Sequence, residues 1–241
     1  MNRMELFKKE TAMRYIKNGF YIPLLFMYAL YLNYDLLHAT IIVVKMFPLN
    51  YYYWFSYLYN FENIPKHLNF VKQFVRFTDT GHIVSVCYLL DASYLPLAHN
   101  LHFMIMAGYL GGRLSGICHM DSLSLTDESN EIIYWYEELW SFTTHIAPYL
   151  LFLRELIISD SCYEFNFMNL VDTYKWLYLW FCFVYMPWRI YTHDPVYSIL
   201  DVKENRVKQA KFILGLHASS IIGNIIGYCV SWYLCSLILL V

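Results

Sequence analysis

The sequence predicts an all-α integral membrane protein, a bundle of about six transmembrane helices. Three observations carry that expectation. Only 15% of the 241 residues are charged, where soluble domains carry about 25%. Residues 212–241 run to the end of the chain without one Asp, Glu, Lys or Arg, and roughly 20 apolar residues are enough to cross a bilayer. Aromatic residues make up 20% of the chain and cluster in stretches such as PLNYYYWFSYLYNFENIPKHLNF. Tyr and Trp suit the headgroup zone, where an apolar ring meets lipid and a polar tip meets water.

The spans are expected to be helices because hydrocarbon offers no water to satisfy free backbone N–H and C=O groups. A membrane β-barrel needs alternating strands of about ten residues, and runs such as LHFMIMAGYL do not alternate. The N-terminal MNRMELFKKETAMRYIKNGF reads as the polar flank of a first, uncleaved span. That span lies near 20–47 and is interrupted by Asp35 and His38. Further spans are expected near 74–91, 94–114, 132–158, 170–191 and 212–241, in one polytopic domain. The polar stretches 115–131 and 192–211 read as loops. Pro148 and Pro187 are expected to kink their spans.

Charge leaves orientation open. Lys and Arg cluster at the N-terminus and again before the last span. The positive-inside rule assigns both clusters to one side, whereas five intervening spans separate them. A net charge of −2 provides no field to attract nucleic acid, so no such partner is expected. The six cysteines show no CxxC pair and no disulfide framework, and read as thiols in apolar surroundings.

Polar residues inside apolar runs are functional candidates, because each costs a few kcal/mol in lipid. The second span opens with Thr78, Asp79, Thr80 and His82. The third carries His99, Asn100 and His102. The fourth carries Glu137, Glu138, Thr143, Thr144 and His145. The glutamates, flanked by Trp135 and Trp140, read as residues of the membrane surface. His99 and His102, three residues apart, share a helical face and offer an alternative metal site. Their bland reading is hydrogen bonding between helices. A Thr hydroxyl becomes a nucleophile when a nearby base takes its proton. Thr78 or Thr80 on one helix and His145 on another form such a pair if the helices are neighbours at one depth. The alternative is that Thr143 and Thr144 bond back to the preceding turn and soften the helix before Pro148.

Four stretches occur in a telling order: VRFTDTGHIV, then YLPLAHNLHFMIMAGYLGG with Pro96 and Tyr109, then LWSFTTHIAPYLLFLREL, then YLWFCFVYMPWRIYTHDPVYSILD. Over roughly residues 74–201 the chain thereby resembles the androgen-inducible family of small membrane proteins, which hydrolyse fatty acid esters of hydroxy fatty acids. The family has Leu before its nucleophilic Thr; here Phe77 precedes Thr78, and Asp79 separates Thr78 from Thr80, so either Thr fits. The resemblance implies a Thr nucleophile and His145 as general base, with no cofactor and no metal. Asn100 or His102 would supply oxyanion donors. Asp79 would orient a histidine or cap its helix. The partner would be a membrane lipid, its acyl chain among aromatic side chains, and the location an intracellular membrane such as the endoplasmic reticulum. Three other readings compete: a metal-dependent membrane hydrolase using His99, His102 and His145 with Asp79, a non-enzymatic lipid-binding or structural protein, and a small transporter. The absence of an inverted repeat argues against the last.

Overall fold

The computed structural model describes residue 71 and residues 75–114, 144–158, 165–201 and 205–238. The described chain is helical throughout, with no strand. The expected span near 20–47, the first part of that near 132–158, the loop 115–131 and the residues Glu137, Glu138 and Thr143 lie outside the described residues.

Helix α1, Phe77–Leu90, ends at Asp91, whose extended backbone breaks the helix while its N–H still donates to the Cys87 carbonyl. The Asp91 carboxylate then accepts from the Ser93 N–H at 2.9 Å, starting a short 3-10 turn, Ala92–Tyr94. Helix α2, Leu95–Leu114, follows at once, with Pro96 in its first turn, where a missing N–H costs nothing. One aspartate thus closes one helix and opens the next.

Helix α3, Ala147–Ile158, follows a turn at Ile146. Pro148 sits in the first turn of α3, and the helical path through Thr144 and His145 is interrupted at Ile146, beside His145. Helix α4, Phe167–Trp180, opens with a capping box: Asn166 accepts from the Met168 N–H at 2.8 Å and its own N–H donates to the Asn169 side chain at 2.6 Å. The helix widens into a π turn over Phe181–Tyr185, in which Met186 N–H reaches back to the Phe181 carbonyl. Pro187 explains the widening, because its ring collides with the carbonyl four residues earlier and it donates no hydrogen bond. Helix α5, Met186–Thr192, ends at His193 in the left-handed region, φ 59°.

Helix α6, Arg206–Ile238, begins inside the stretch expected to be a loop. Asn205 caps it, accepting from the Val207 N–H at 2.8 Å. Asn is among the best N-caps, and the charges of Arg206, Lys208 and Lys211 had disguised the first turns as loop.

Helix α2 is the centre of the packing. It lies against α1, α3, α4 and, most extensively, α6. Its face toward them is polar at the middle: His99, Asn100 and His102 are completely buried. Helix α6 buries a stripe of small residues, Ser219, Gly223, Gly227 and Ser231, at every fourth position. Small residues at this spacing let helix backbones approach closely. The outward faces are apolar instead: Phe183, Ile190, Leu214, Ile225 and Trp232 are all more than half exposed.

Among the described residues, one helix is long and apolar enough to cross a membrane, over Arg206–Ser236. The other helices fall short for visible reasons. The 14 residues of α1 reach about 21 Å at 1.5 Å per residue, against a hydrocarbon core of about 30 Å. Helix α2 is diluted by its histidines, asparagine and glycines, and α4 by Asp172 and Lys175. Cys87, Cys182 and Cys229 are free thiols. Cys235 is disulfide-bonded, which the cysteine spacing had given no reason to expect.

Candidate active site

Helix α1 is pinned at its start by two contacts from distant segments. The Trp180 indole N–H donates to the Val75 carbonyl at 2.8 Å, and the Trp180 ring meets Phe77 edge-on at 5.1 Å. The Phe77 backbone N–H donates to the Tyr197 hydroxyl oxygen at 2.8 Å. Helix N-termini carry N–H groups without intrahelical partners, and no side-chain cap is present at Arg76. Tyr197, far along the chain, takes that place.

Thr78, the second residue of α1 and the next after Phe77, is buried. It borders a cavity of about 420 Å³. His145 borders the same cavity, as do Tyr109, Tyr197 and His217, while Met104, Ile105, Leu177, Trp180, Phe212 and Leu216 supply apolar walls. Among the described residues, no Asp, Glu, Lys or Arg lines it. A mostly apolar cleft of this size with a few converging polar groups is the usual form of a small-ligand site.

His145 is fixed on two sides. Its ring stacks on Tyr109 at 4.5 Å between centroids, and its Nδ1 lies 3.0 Å from the Thr144 hydroxyl. In the tautomer that carries its proton on Nδ1, an imidazole offers the Nε2 lone pair as a base.

The two threonines part company. The Thr80 hydroxyl donates to the Phe77 carbonyl at 2.7 Å, within its own helix, and Thr80 does not border the cavity. The pattern FTDT left them equal; position on the helix separates them.

The other sequence candidates lie elsewhere. Asn100 gives its two amide N–H groups to the Thr173 hydroxyl at 3.1 Å and the Asn224 side chain at 3.0 Å. An amide NH₂ has two donors, so none is left for an oxyanion. His102 Nε2 pairs with the Ser85 hydroxyl at 2.6 Å, and its ring stacks on Phe152. Asp79 is buried but is not on the cavity wall. His99 Nδ1 faces Asn100 at 3.3 Å, and its ring packs against Tyr149 and Phe165. Among the described residues, no three His, Cys, Asp or Glu side chains gather as a metal site needs, so the alternative pairing of His99 with His102 lacks further ligands there. Asn100 and His102 thereby tie α2 to α1, α4 and α6 by hydrogen bonds.

No protein-family model, no curated protein and no solved structure matches this chain. The site must therefore be read from its own chemistry.

Two residues went unnoticed in the sequence. His217 sits in the uncharged tail and its ring lies 5.4 Å from that of Tyr174. Tyr197 is one of 24 tyrosines, and the fourth stretch of the resemblance contains it without marking it out. Its neighbour was the available signal only in three dimensions: Val196 holds φ 59°, and the Tyr197 N–H closes onto the Pro195 carbonyl at 2.5 Å. A β-branched residue in that region is an outlier, costing on the order of 1–3 kcal/mol. Burial pushes the Tyr197 hydroxyl pKa up, against the opposing pull of Arg76 and the helix N–H groups, so it is protonated at neutral pH.

Proposed function

We propose that this protein is a multi-span membrane hydrolase of lipid esters, with Thr78 as nucleophile and His145 as general base. One observation carries the reading: Thr78 and His145, from segments far apart in the chain, border one apolar cavity. The position of Thr78 adds to it. The first turn of a helix carries the positive end of the macrodipole, which favours the negative charge that develops during acyl transfer. The resemblance to the androgen-inducible family points to the same pair of residue types.

The steps balance without a cofactor. The Thr78 Oγ–carbonyl carbon bond forms as His145 takes the hydroxyl proton. The carbon–oxygen bond to the alcohol breaks, and His145 returns that proton to the departing alkoxide. A water then attacks the acyl-threonine, giving one proton through His145 back to Thr78 Oγ and releasing the fatty acid. The uncharged walls suit the acyl chain and the ester, while any charged headgroup stays outside.

The membrane reading rests on reversed polarity. His82, Ser85, His99, Asn100 and Thr173 are at most 1% exposed while Phe183, Leu214 and Trp232 face outward. Water as the surrounding solvent would favour the opposite arrangement, and an apolar surface this extended marks contact with lipid or a partner. We place the protein in an internal membrane, the endoplasmic reticulum being the first to test by co-localisation.

The test uses membranes containing the full chain, treated with a long-chain alkyl fluorophosphonate. Wild type and Thr80→Ala are expected to label covalently, and Thr78→Ala and His145→Ala to lose labelling at equal expression. Undiminished labelling in all variants, or none in wild type, would leave the cavity as a lipid-binding site without catalysis.

A further inference from the structure

We propose that Tyr197 is the oxyanion donor of this site, its phenolic O–H pointing to the oxygen that becomes negative when Thr78 attacks an ester. The inference rests on the hydrolase reading above and deepens it. Four observations converge. Tyr197 borders the cavity that Thr78 and His145 border. Its oxygen accepts from the Phe77 N–H at 2.8 Å, so its position relative to the first turn of α1 is fixed. Thr78 is the next residue after Phe77 and borders the same cavity. And the backbone just before it is held in an unfavourable conformation at Val196. Such outliers persist only where surrounding structure enforces them, and they gather at functional sites.

The chemistry follows from the inventory of a phenol. It has one hydrogen to give and oxygen lone pairs to receive with. Phe77 N–H occupies a lone pair. The phenolic hydrogen is the one group Tyr197 has to give. The carbonyl oxygen of an attacked ester lies one bond beyond the carbon that Thr78 Oγ joins. A hydroxyl held by the backbone N–H of the residue before Thr78, at the wall of the same cavity, is placed to meet it. The hydrogen bond from a helix N-terminal N–H polarises the phenol and strengthens it as a donor, since chained hydrogen bonds reinforce each other. Asn100, the donor suggested by the sequence, has both N–H groups committed, and His102 is paired with Ser85.

The test separates donation from mere support. Purified full-length protein in detergent is treated with the same alkyl fluorophosphonate, and the concentration dependence of labelling gives binding (KI) and bond formation (kinact) separately. In this reaction the Thr78 oxygen bonds to phosphorus, fluoride leaves, the Thr78 proton goes to His145, and the phosphoryl oxygen occupies the oxyanion position. Tyr197→Phe keeps the ring and removes the O–H. The expected result is a fall in kinact of roughly 100- to 1,000-fold, as for loss of one oxyanion donor, with KI changed less than threefold. A kinact within threefold of wild type overturns the proposal while leaving the Thr78 and His145 reading intact. A loss expressed in KI alone assigns Tyr197 to shaping the cavity and also overturns it. Because the substitution also leaves the Phe77 N–H without its acceptor, binding of a non-reactive alkyl phosphonate to Tyr197→Phe is measured in parallel. Retained binding with lost kinact supports the proposal, and lost binding counts against it. Absence of labelling in wild type removes both this proposal and the hydrolase reading.

Discussion

Asn100 shows how a buried polar residue is assigned a role by counting its donors. Its side chain joins α2 to Thr173 of α4 and to Asn224 of α6, and Thr173 passes its own proton to the Asn169 carbonyl at 2.8 Å. Removing the amide by Asn100→Ala breaks two interhelical hydrogen bonds. In membrane proteins such bonds are worth about 0.6 kcal/mol on average and up to about 1.7. A loss of roughly 1–3 kcal/mol is expected, measured by unfolding in mixed detergent micelles. The kinact of the folded variant should stay near wild type. A drop of a hundredfold in kinact with stability intact would instead make Asn100 an oxyanion donor and displace Tyr197. The sequence located Asn100, His99 and His102 correctly as inward-facing polar residues, because charge or amide inside an apolar run signals burial. It had no means of telling network from site. That distinction depends on which helices lie opposite, and so on contacts such as the one from Phe77 to Tyr197, 120 residues apart.

At the scale of the element, helix positions were legible where local chemistry marks them. Asp91 separated the two expected spans near 74–91 and 94–114, and α1 and α2 end and begin around it. The start of α6 was missed because its first turns are charged. Asp91 carries a prediction in pH. Its hydrogen bonds to Ser93 hold its carboxyl below the ordinary value of 3.8. A group whose folded pKa is depressed adds stability that is fully present above the unfolded pKa and is lost as pH falls through the folded one. The turn should therefore stay intact at pH 3.8 and open only in more acid solution. The carboxyl carbon shift of Asp91 should titrate with a midpoint under 3.8, and a midpoint at or above that value would sink the assignment. The stripe on α6 carries another. A Cβ placed on Gly227 overlaps the Phe165 ring, and one on Gly223 comes within 2.9 Å of Phe103, whereas one on Gly215 meets nothing within 4 Å. Gly227→Ala should destabilise by about 1–3 kcal/mol, the usual cost of overpacking. Gly215→Ala should be neutral or stabilising by up to about 1 kcal/mol, since Ala favours helix over Gly. Equal effects at the two positions, read from thermal unfolding in detergent, would mean that this stripe is not a packing face.

For the whole molecule, the decisive property is which solvent its outer surface meets. Composition alone suggested lipid, and the structure adds where polar and apolar residues lie: a polar centre around α2 and an apolar exterior on α4, α5 and α6. Two free thiols stand on that exterior. Cys182 lies between the exposed Phe181 and Phe183, and Cys229 beside the exposed Tyr228, with Ile225 and Trp232 also outward on α6. A thiol reacts with maleimide through its thiolate, and a thiolate does not form in hydrocarbon, where an isolated charge is strongly disfavoured. In sealed membranes, variants retaining only Cys182 or only Cys229 should resist a water-soluble maleimide on either side, even after the membranes are made permeable. Both should label fully once dissolved in denaturing detergent. Rapid labelling of both in native membranes would mean that water covers these faces. The reversed polarity would then mark an interface with another protein, and the lipid route to Thr78 would have to be abandoned. Protection of both thiols would place the π turn at the end of α4 and helix α6 against lipid together, on the side where Tyr178, Phe181 and Ile213 border the cavity. A lipid ester could then enter sideways from the bilayer, with its acyl chain passing from hydrocarbon into hydrocarbon-like walls at little cost in desolvation.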